Sequence, residues 1–549
     1  MVDNRISWIG AAVVAVACSR PAQLQAVPAA SRTQLESIDW LTYNASLTGE
    51  RFSPIRSLSP RAAPLLGRTC AYDTGKPAPG AQTGPLVIDG TLYFTDKDST
   101  YAVDGVTCRE KWTHVRTVQP PVTLGTNRGV AYLEGRLFRG YTDGHVVAFD
   151  AASGRQLWDV QIANPARGES ITMAPIAWNG LVYIGNAGGD NFGVTGHVFA
   201  LRATTGSTAW RFDTVPSTPE VLATWPEASA KNPPTGGALW STFSLNPGTG
   251  VLYASTGNAA PDFILDLRTG QSLYSNAVIA LDAHTGKLLA YVQPIPRDEH
   301  DHDVAAAPAL ITTRGGRRLA LTAAKNGRAY GIERLTLRNV LELAVMYFAD
   351  TTTRGNLEER LSTARPVRFC PGTQGGTEWN GPAYSPELNL AYVGAADWCS
   401  TIRILTAAQT LAQAQPGKPY TGGADPDALF GQQDPYAFAR GWLTAFDADT
   451  GQVRWRYMAP EPVVAGVTVT AGGLLFMGDL SGMVRAMDAR TGTILWQDRA
   501  GDAIGGGIVT YAVAGRPFLA VVTGQPSGIW PVPNPQTTKI VVYSPGGGR

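Results

Sequence analysis

The sequence predicts an all-β chain, an eight-bladed β-propeller with antiparallel four-stranded blades, and three observations carry that expectation. One phrase recurs: a strand ending in an Ala-x-Asp step, a Thr/Ser-Gly turn, and an aromatic residue a few positions on. Short apolar runs such as Leu181-Val182-Tyr183-Ile184 and Leu474-Leu475-Phe476-Met477 alternate with Gly-rich turns, the pattern of short antiparallel strands. The 549 residues include 61 glycines and 38 prolines, and only 16% are charged, against about 25% in an average soluble domain. Tight turns are thereby favoured over long helices.

In chain order, the first apolar stretch, Ile6 to Ala17, is too short for a membrane helix and ends in small residues directly before Cys18. It reads as an export signal within residues 1–27, leaving 28–549 as a single propeller. Ala15-Val16-Ala17-Cys18 also resembles a bacterial lipobox, in which Cys18 would carry a lipid anchor. Without Cys18 an even four cysteines remain, and sequence order pairs Cys70 with Cys108 and Cys370 with Cys399. Such bridges persist in an oxidising compartment, which points to the periplasm.

The repeated phrase appears at Asp104 with Trp112, at Asp150 with Gly154 and Trp158, and at Arg202 with Gly206 and Trp210. It returns at Asp282 with Gly286, at Asp447 with Gly451 and Trp455, and at Asp488 with Gly492 and Trp496. The steps are 46, 52, 80, 165 and 41 residues. With units of roughly 40–50 residues, the 80-residue step is expected to hold two units and the 165-residue step about four, with degenerate copies. A four-stranded sheet cannot bury both faces alone. Stacked radially, the Trp and Gly residues dock blade on blade around a central channel whose mouth collects the loops. Leu335 to Leu361 reads as a helical surface insertion, and Pro416 to Pro435 as a loop.

Charge and hydropathy exclude other classes. Lys+Arg 45 against Asp+Glu 44 leaves a formal charge of +1, so there is no basic footprint for nucleic acid or an anionic membrane. No apolar run approaches the roughly 20 residues needed to span a bilayer. No Cys-x-x-Cys-His occurs, so the chain carries no covalent haem.

Across nearly all of its mature length the chain resembles the quinoprotein alcohol dehydrogenases, the pyrroloquinoline quinone (PQQ) enzymes related to methanol dehydrogenase. Asp39-Trp40-Leu41-Thr42-Tyr43-Asn44 with Arg51-Phe52-Ser53-Pro54 resembles the family's opening. Gly505-Gly506-Gly507 to Tyr511 and Val521-Val522-Thr523-Gly524 resemble its close. Gln293-Pro294-Ile295-Pro296-Arg297-Asp298-Glu299-His300-Asp301-His302-Asp303 lies in register with the family's Gln-x-x-Pro-His-Asp-x-Trp-Asp-Tyr-Asp loop. The resemblance makes Asp301 the catalytic base and a metal ligand, and Asp303 the extra ligand of the lanthanide-using branch. The residues agree, because seven consecutive ionisable side chains, four of them acidic, are costly unless a hard cation neutralises them. Arg297, His300 and His302 stand where the family has His, Trp and Tyr.

The other motifs follow the same resemblance. Asn258 in Tyr253 to Asn258 inherits an amide-oxygen metal ligand, and Trp240 after Gly236-Gly237 the indole floor beneath the quinone. Ala187-Gly188-Gly189-Asp190-Asn191 resembles a segment with a metal-binding Glu. Counting from one side selects Asp190 and from the other Asn191, and the carboxylate is the better hard-cation ligand. Gly188, Gly189 and Thr172 fall where the quinone is contacted. Arg128 in Asn127-Arg128-Gly129 would pair with a quinone carboxylate, a use suited to the guanidinium fork. Lys325 matches the basic residue near the reactive carbonyl and shares the catalytic role with Asp301. Trp379 faces the cofactor, with Glu378 beside it where Asn is common. The family's vicinal Cys-Cys would align with Val122-Thr123 and is absent.

The resemblance thus implies PQQ and one hard cation, a lanthanide ion or Ca²⁺. The substrate would be a small-molecule or polymeric alcohol, with an external soluble or membrane cytochrome as electron acceptor. The alternative expectation is a non-catalytic scaffold lipoprotein of the outer-membrane assembly type, which shares the repeats but has no use for such a charged ring.

Overall fold

A computed structural model describes residues 37–76, 80–120, 124–334, 342–530, 532 and 537–548. The expected export signal, Cys18 and Val122-Thr123 lie outside the described residues. Among those described, seven sheets have four strands and one has five. They follow one another along the chain. The first comprises Leu86–Ile88, Thr91–Thr95, Ser99–Asp104 and Glu110–Val115, and the second begins at Ala131. The last comprises Ile508–Val513, Arg516–Thr523 and Lys539–Pro545, completed by Leu66–Asp73 from the start of the chain. Nearby, Phe52–Ser53 adds a parallel edge to Thr468–Thr470.

The recurring phrase is the joint between sheets. Trp112, Trp158, Trp210 and Trp455 donate their indole N–H groups to the carbonyls of Ala151, Ala203, Ala283 and Ala489, at 2.9–3.3 Å. Each indole also abuts the turn glycine of the following sheet. A Cβ on Gly154, Gly206, Gly286 or Gly492 would lie 2.5–2.8 Å from it, and all four glycines have φ between +70° and +76°. No other residue meets both demands. The phrase's Asp caps the turn: Asp150 Oδ1 accepts from Ser153 N, and Asp282 Oδ1 from Thr285 N. Tyr347 is a degenerate copy, its hydroxyl donating to Ala448 O beneath Gly451.

The spacing argument needs correction. The 80-residue step from Arg202 to Asp282 spans one sheet, not two, and the 165-residue step from Asp282 to Asp447 spans two, not four. The surplus length lies in inserted segments, residues 214–243, 256–277, 351–382 and 398–439. All four carry cavity-lining residues. The helix expected within Leu335 to Leu361 is also absent among its described residues. Val345–Asp350 is instead the fourth strand of the fifth sheet, satisfying the edge of Arg328–Glu333, and tertiary pairing overrides local propensity. The α-helices described are Pro219–Leu222 and Ala407–Gln413. Pro416 to Pro435 is a loop apart from the short strand Gln432–Gln433.

Both expected disulfides are present, Cys70–Cys108 and Cys370–Cys399. Arg51 of the opening motif is fully buried. It donates to Tyr43 O, Asn44 Oδ1, Val467 O and Ile508 O, tying the start of the chain to its last two sheets. No helix among the described residues is long and apolar enough to cross a membrane.

Candidate active site

Eleven residues singled out from sequence, Arg128, Thr172, Gly188, Gly189, Asp190, Trp240, Asn258, Asp301, Asp303, Lys325 and Trp379, line one cavity of about 370 Å³. That volume suits a small molecule. Gly188 has φ +103°, and a Cβ there would meet Gly168 O at 2.2 Å, so the wall passes close behind it. Asn191 points away, its amide donating to Gly168 O, which leaves Asp190 at the cavity.

On one side Arg128 donates to Thr172 Oγ1 (2.8 Å) and Trp240 O (2.7 Å). Its guanidinium lies 4.7 Å from the Trp240 ring centroid and 5.2 Å from that of Trp379. It has no carboxylate at ion-pair distance among the described residues, its buried Nε has no partner, and burial lowers its pKa to about 10. A desolvated guanidinium between two indoles is short of an anion.

On the other side Lys325 Nζ donates to Asp301 Oδ2 at 2.9 Å and lies 3.7 Å from Asp303 Oδ2. Asp303 also accepts from Asn258 N (2.6 Å) and Trp240 Nε1 (3.1 Å). Burial pushes the carboxyl of Asp301 well above the usual range and that of Asp190 up to about 6, with neighbouring carboxylates adding to both. Oxygens of Asp190, Asp262 and Asp301 lie within 4.8 Å of one another. At an effective dielectric of 20, two charges that close repel by about 3 kcal/mol. Lys325 alone does not offset this. The donor set is all oxygen, so the residues fit a hard cation, and Arg128 fits a carboxylate-bearing planar ligand against Trp240.

The loop carrying Asp301 is held by its unusual residues. Asp298 accepts from the backbone N–H groups of His300 and His302, whose rings stack 5.4 Å apart. The His300 ring packs edge-on against Phe369, and burial keeps His302 neutral. Sequence reasoning missed Asp262, Gln82, Gln374, Phe430 and Trp530. An Asp within the apolar run Ala259 to Ile264 was the available signal for the first.

Glu378 also lines the cavity. Burial raises its pKa from 4.5 to about 7, opposed by Lys325 and assisted by Asp303, and its Oε1 is unpartnered. The folded state therefore holds this proton more tightly than the unfolded state, so stability falls as pH rises from about 4.5 to 7. Glu378→Gln removes that loss. In the metal-free protein the variant should match wild type at pH 4 and exceed it by up to about 3 kcal/mol at pH 8. Urea melts at the two pH values check this, and a constant difference would place the titration elsewhere.

Residues 40–367 match the PQQ family profile, described as the glucose/ethanol/alcohol dehydrogenase β-propeller domain. The chain belongs to that family. It is thus an all-β propeller, and the resemblance read from the sequence holds. Residues 423–529 also match a profile described as outer membrane protein assembly factor BamB. Among relatives of this PQQ-family chain, quinohemoprotein alcohol dehydrogenase ADH IIB of Pseudomonas putida is 29% identical, covering 88% of this chain and 73% of its own. The lanthanide-dependent methanol dehydrogenase of Methylacidiphilum fumariolicum (strain SolV) is 28% identical over 90% and 86%. Among solved structures, quinohemoprotein alcohol dehydrogenase ADHIIG of Pseudomonas putida HK5 aligns with a TM-score of 0.81 at 25% identity, over 93% of this chain and 81% of its own.

Proposed function

We propose that the protein oxidises an alcohol, using PQQ and one hard cation held in the cavity described above. The observation that carries this is the division of the cavity into an unpaired Arg128 between two indoles and, across from it, the Lys325–Asp301 pair beside further buried carboxylates. A scaffold gains nothing from burying such charges. The eight principal sheets are the eight blades of one propeller over residues 28–549, each with four core strands.

Arg128 and Thr172 would hold a carboxylate of the cofactor, Trp240 would offer its ring an aromatic face, and Trp379, Gly188 and Gly189 shape the pocket. Asp190, Asn258, Asp301 and Asp303 would hold the cation. PQQ supplies the two-electron acceptor when bound, and the cation supplies Lewis acidity. The chain's own task is the proton. Asp301 Oδ accepts it from the substrate hydroxyl, and the cation and Lys325 keep Asp301 ionised despite its burial. Lys325 Nζ places a second donor at the reacting end of the cavity. Electrons would leave to a cytochrome, the acceptor that the family resemblance implies. The export signal and two disulfides suit the periplasm, with Cys18 lipidated or removed with the signal.

Metal-free, cofactor-free protein supplied with PQQ and La³⁺ or Ca²⁺ should co-elute with quinone absorbance and melt at a higher temperature. A ligand at a thousandfold excess over its Kd stabilises the folded state by about 4 kcal/mol. A melting curve unmoved by PQQ with either metal returns the protein to the scaffold reading.

A further inference from the structure

We infer that Asp262 is an additional ligand of the cation held by Asp190 and Asp301, a carboxylate contributed by the insertion at residues 256–277 that biases the site toward a trivalent ion. This rests on the metal reading above. Asp262 is fully buried (0% exposed), and neither of its carboxylate oxygens has a hydrogen-bond partner. One of them lies within 4.8 Å of oxygens of both Asp190 and Asp301. Oxygens bound to one cation at 2.3–2.6 Å stand at most about 4.6–5.2 Å apart, so oxygens within 4.8 Å of one another are close enough to share one ion.

The placement is fixed by packing. Ala259–Ala260 pair with Thr235–Gly236, Phe263 N donates to Thr421 O at 3.0 Å, and these contacts clamp Asp262 from both sides. The nearby cation, Arg268, donates to the carbonyls of Pro261, Asp262 and Asp298 and forms no ion pair with the Asp262 carboxylate. A buried carboxylate with no donor is costly unless a charge neutralises it. The same acidic group raises the negative charge around the ion by one, which favours a trivalent over a divalent cation of similar size.

Eu³⁺ luminescence tests this on the metal-free full-length protein, with lifetimes in H₂O and D₂O counting the waters left on the ion. Asp262→Ala should weaken Eu³⁺ binding by about tenfold to a hundredfold, since affinity follows ligand charge and number, and add one coordinated water. Asp262→Asn should keep the water count, lose Eu³⁺ affinity, and lose less of the Ca²⁺ affinity measured by competition. Its metal-free form should melt higher than wild type, because one of three mutually repelling carboxylates is gone, and gain less from Eu³⁺. Unchanged affinity and water count in Asp262→Ala, with wild type binding Eu³⁺, would overturn the assignment and leave the metal site standing. Wild type that binds no Eu³⁺, with or without PQQ, would overturn the metal reading itself.

Discussion

Asp301→Asn should cut kcat by about a thousandfold, within the 10²–10⁴ that a positioned general base contributes, while PQQ content stays near wild type. Asn is the informative replacement. Asp301 has φ +59°, a left-handed conformation that Asn tolerates better than most residues, whereas Ala would add backbone strain to the chemical loss. Asn also keeps one oxygen, as a ligand for the cation or as the acceptor for Lys325 Nζ, which donates to Asp301 Oδ2 at 2.9 Å. What it lacks is the second oxygen that takes the hydroxyl proton. Steady-state turnover with an artificial electron acceptor, normalised to quinone absorbance, measures the effect. A fully loaded variant within tenfold of wild type would move the base elsewhere, with Glu378 the candidate among the cavity carboxyls that the metal reading does not use.

The parts of this fold that the sequence made legible are those written locally. A Trp and the turn glycine of the following sheet meet because each sheet repeats the same joint, so Trp158 and Gly206, or Trp210 and Gly286, can be read without knowing the rest. The cavity residues were legible where a motif kept its register, and the structure brings all eleven to one cavity. Blade spacing was misread because the surplus length lies in insertions, whose sizes no repeat constrains. The stretch before Asp350 carries residues of helical preference but sits beside an open strand edge, and pairing with Arg328–Glu333 decided the outcome. Asp262 was invisible for a related reason. Its role depends on Asp190, 72 positions earlier, and Asp301, 39 later, converging on it in space.

Asp303→Asn should reduce the ratio of lanthanide-supported to calcium-supported activity by at least about tenfold, since ligand charge sets the balance between similar-sized ions. Asp190, Asp301 and Asp303 with one quinone carboxylate put up to four negative charges near one ion, more than a divalent cation offsets. Asp303 Oδ1 accepts from Asn258 N and Oδ2 from Trp240 Nε1, so Ala would leave two N–H groups without acceptors and confound charge with packing. Asn retains one of the two acceptors, so it removes the charge and leaves only one N–H group without its partner. Circular dichroism and the melting temperature of the metal-free variant should stay close to wild type, and activity assays with La³⁺ and with Ca²⁺ give the ratio. Asp262→Asn lowers the same ratio through a different oxygen, so the two changes combined should favour calcium more than either alone. A ratio unchanged in Asp303→Asn but lowered in Asp262→Asn would assign the trivalent preference to the Asp190, Asp262 and Asp301 cluster. Asp303 would then act through Trp240 and Asn258, as the residue that orients the cofactor floor and the amide ligand.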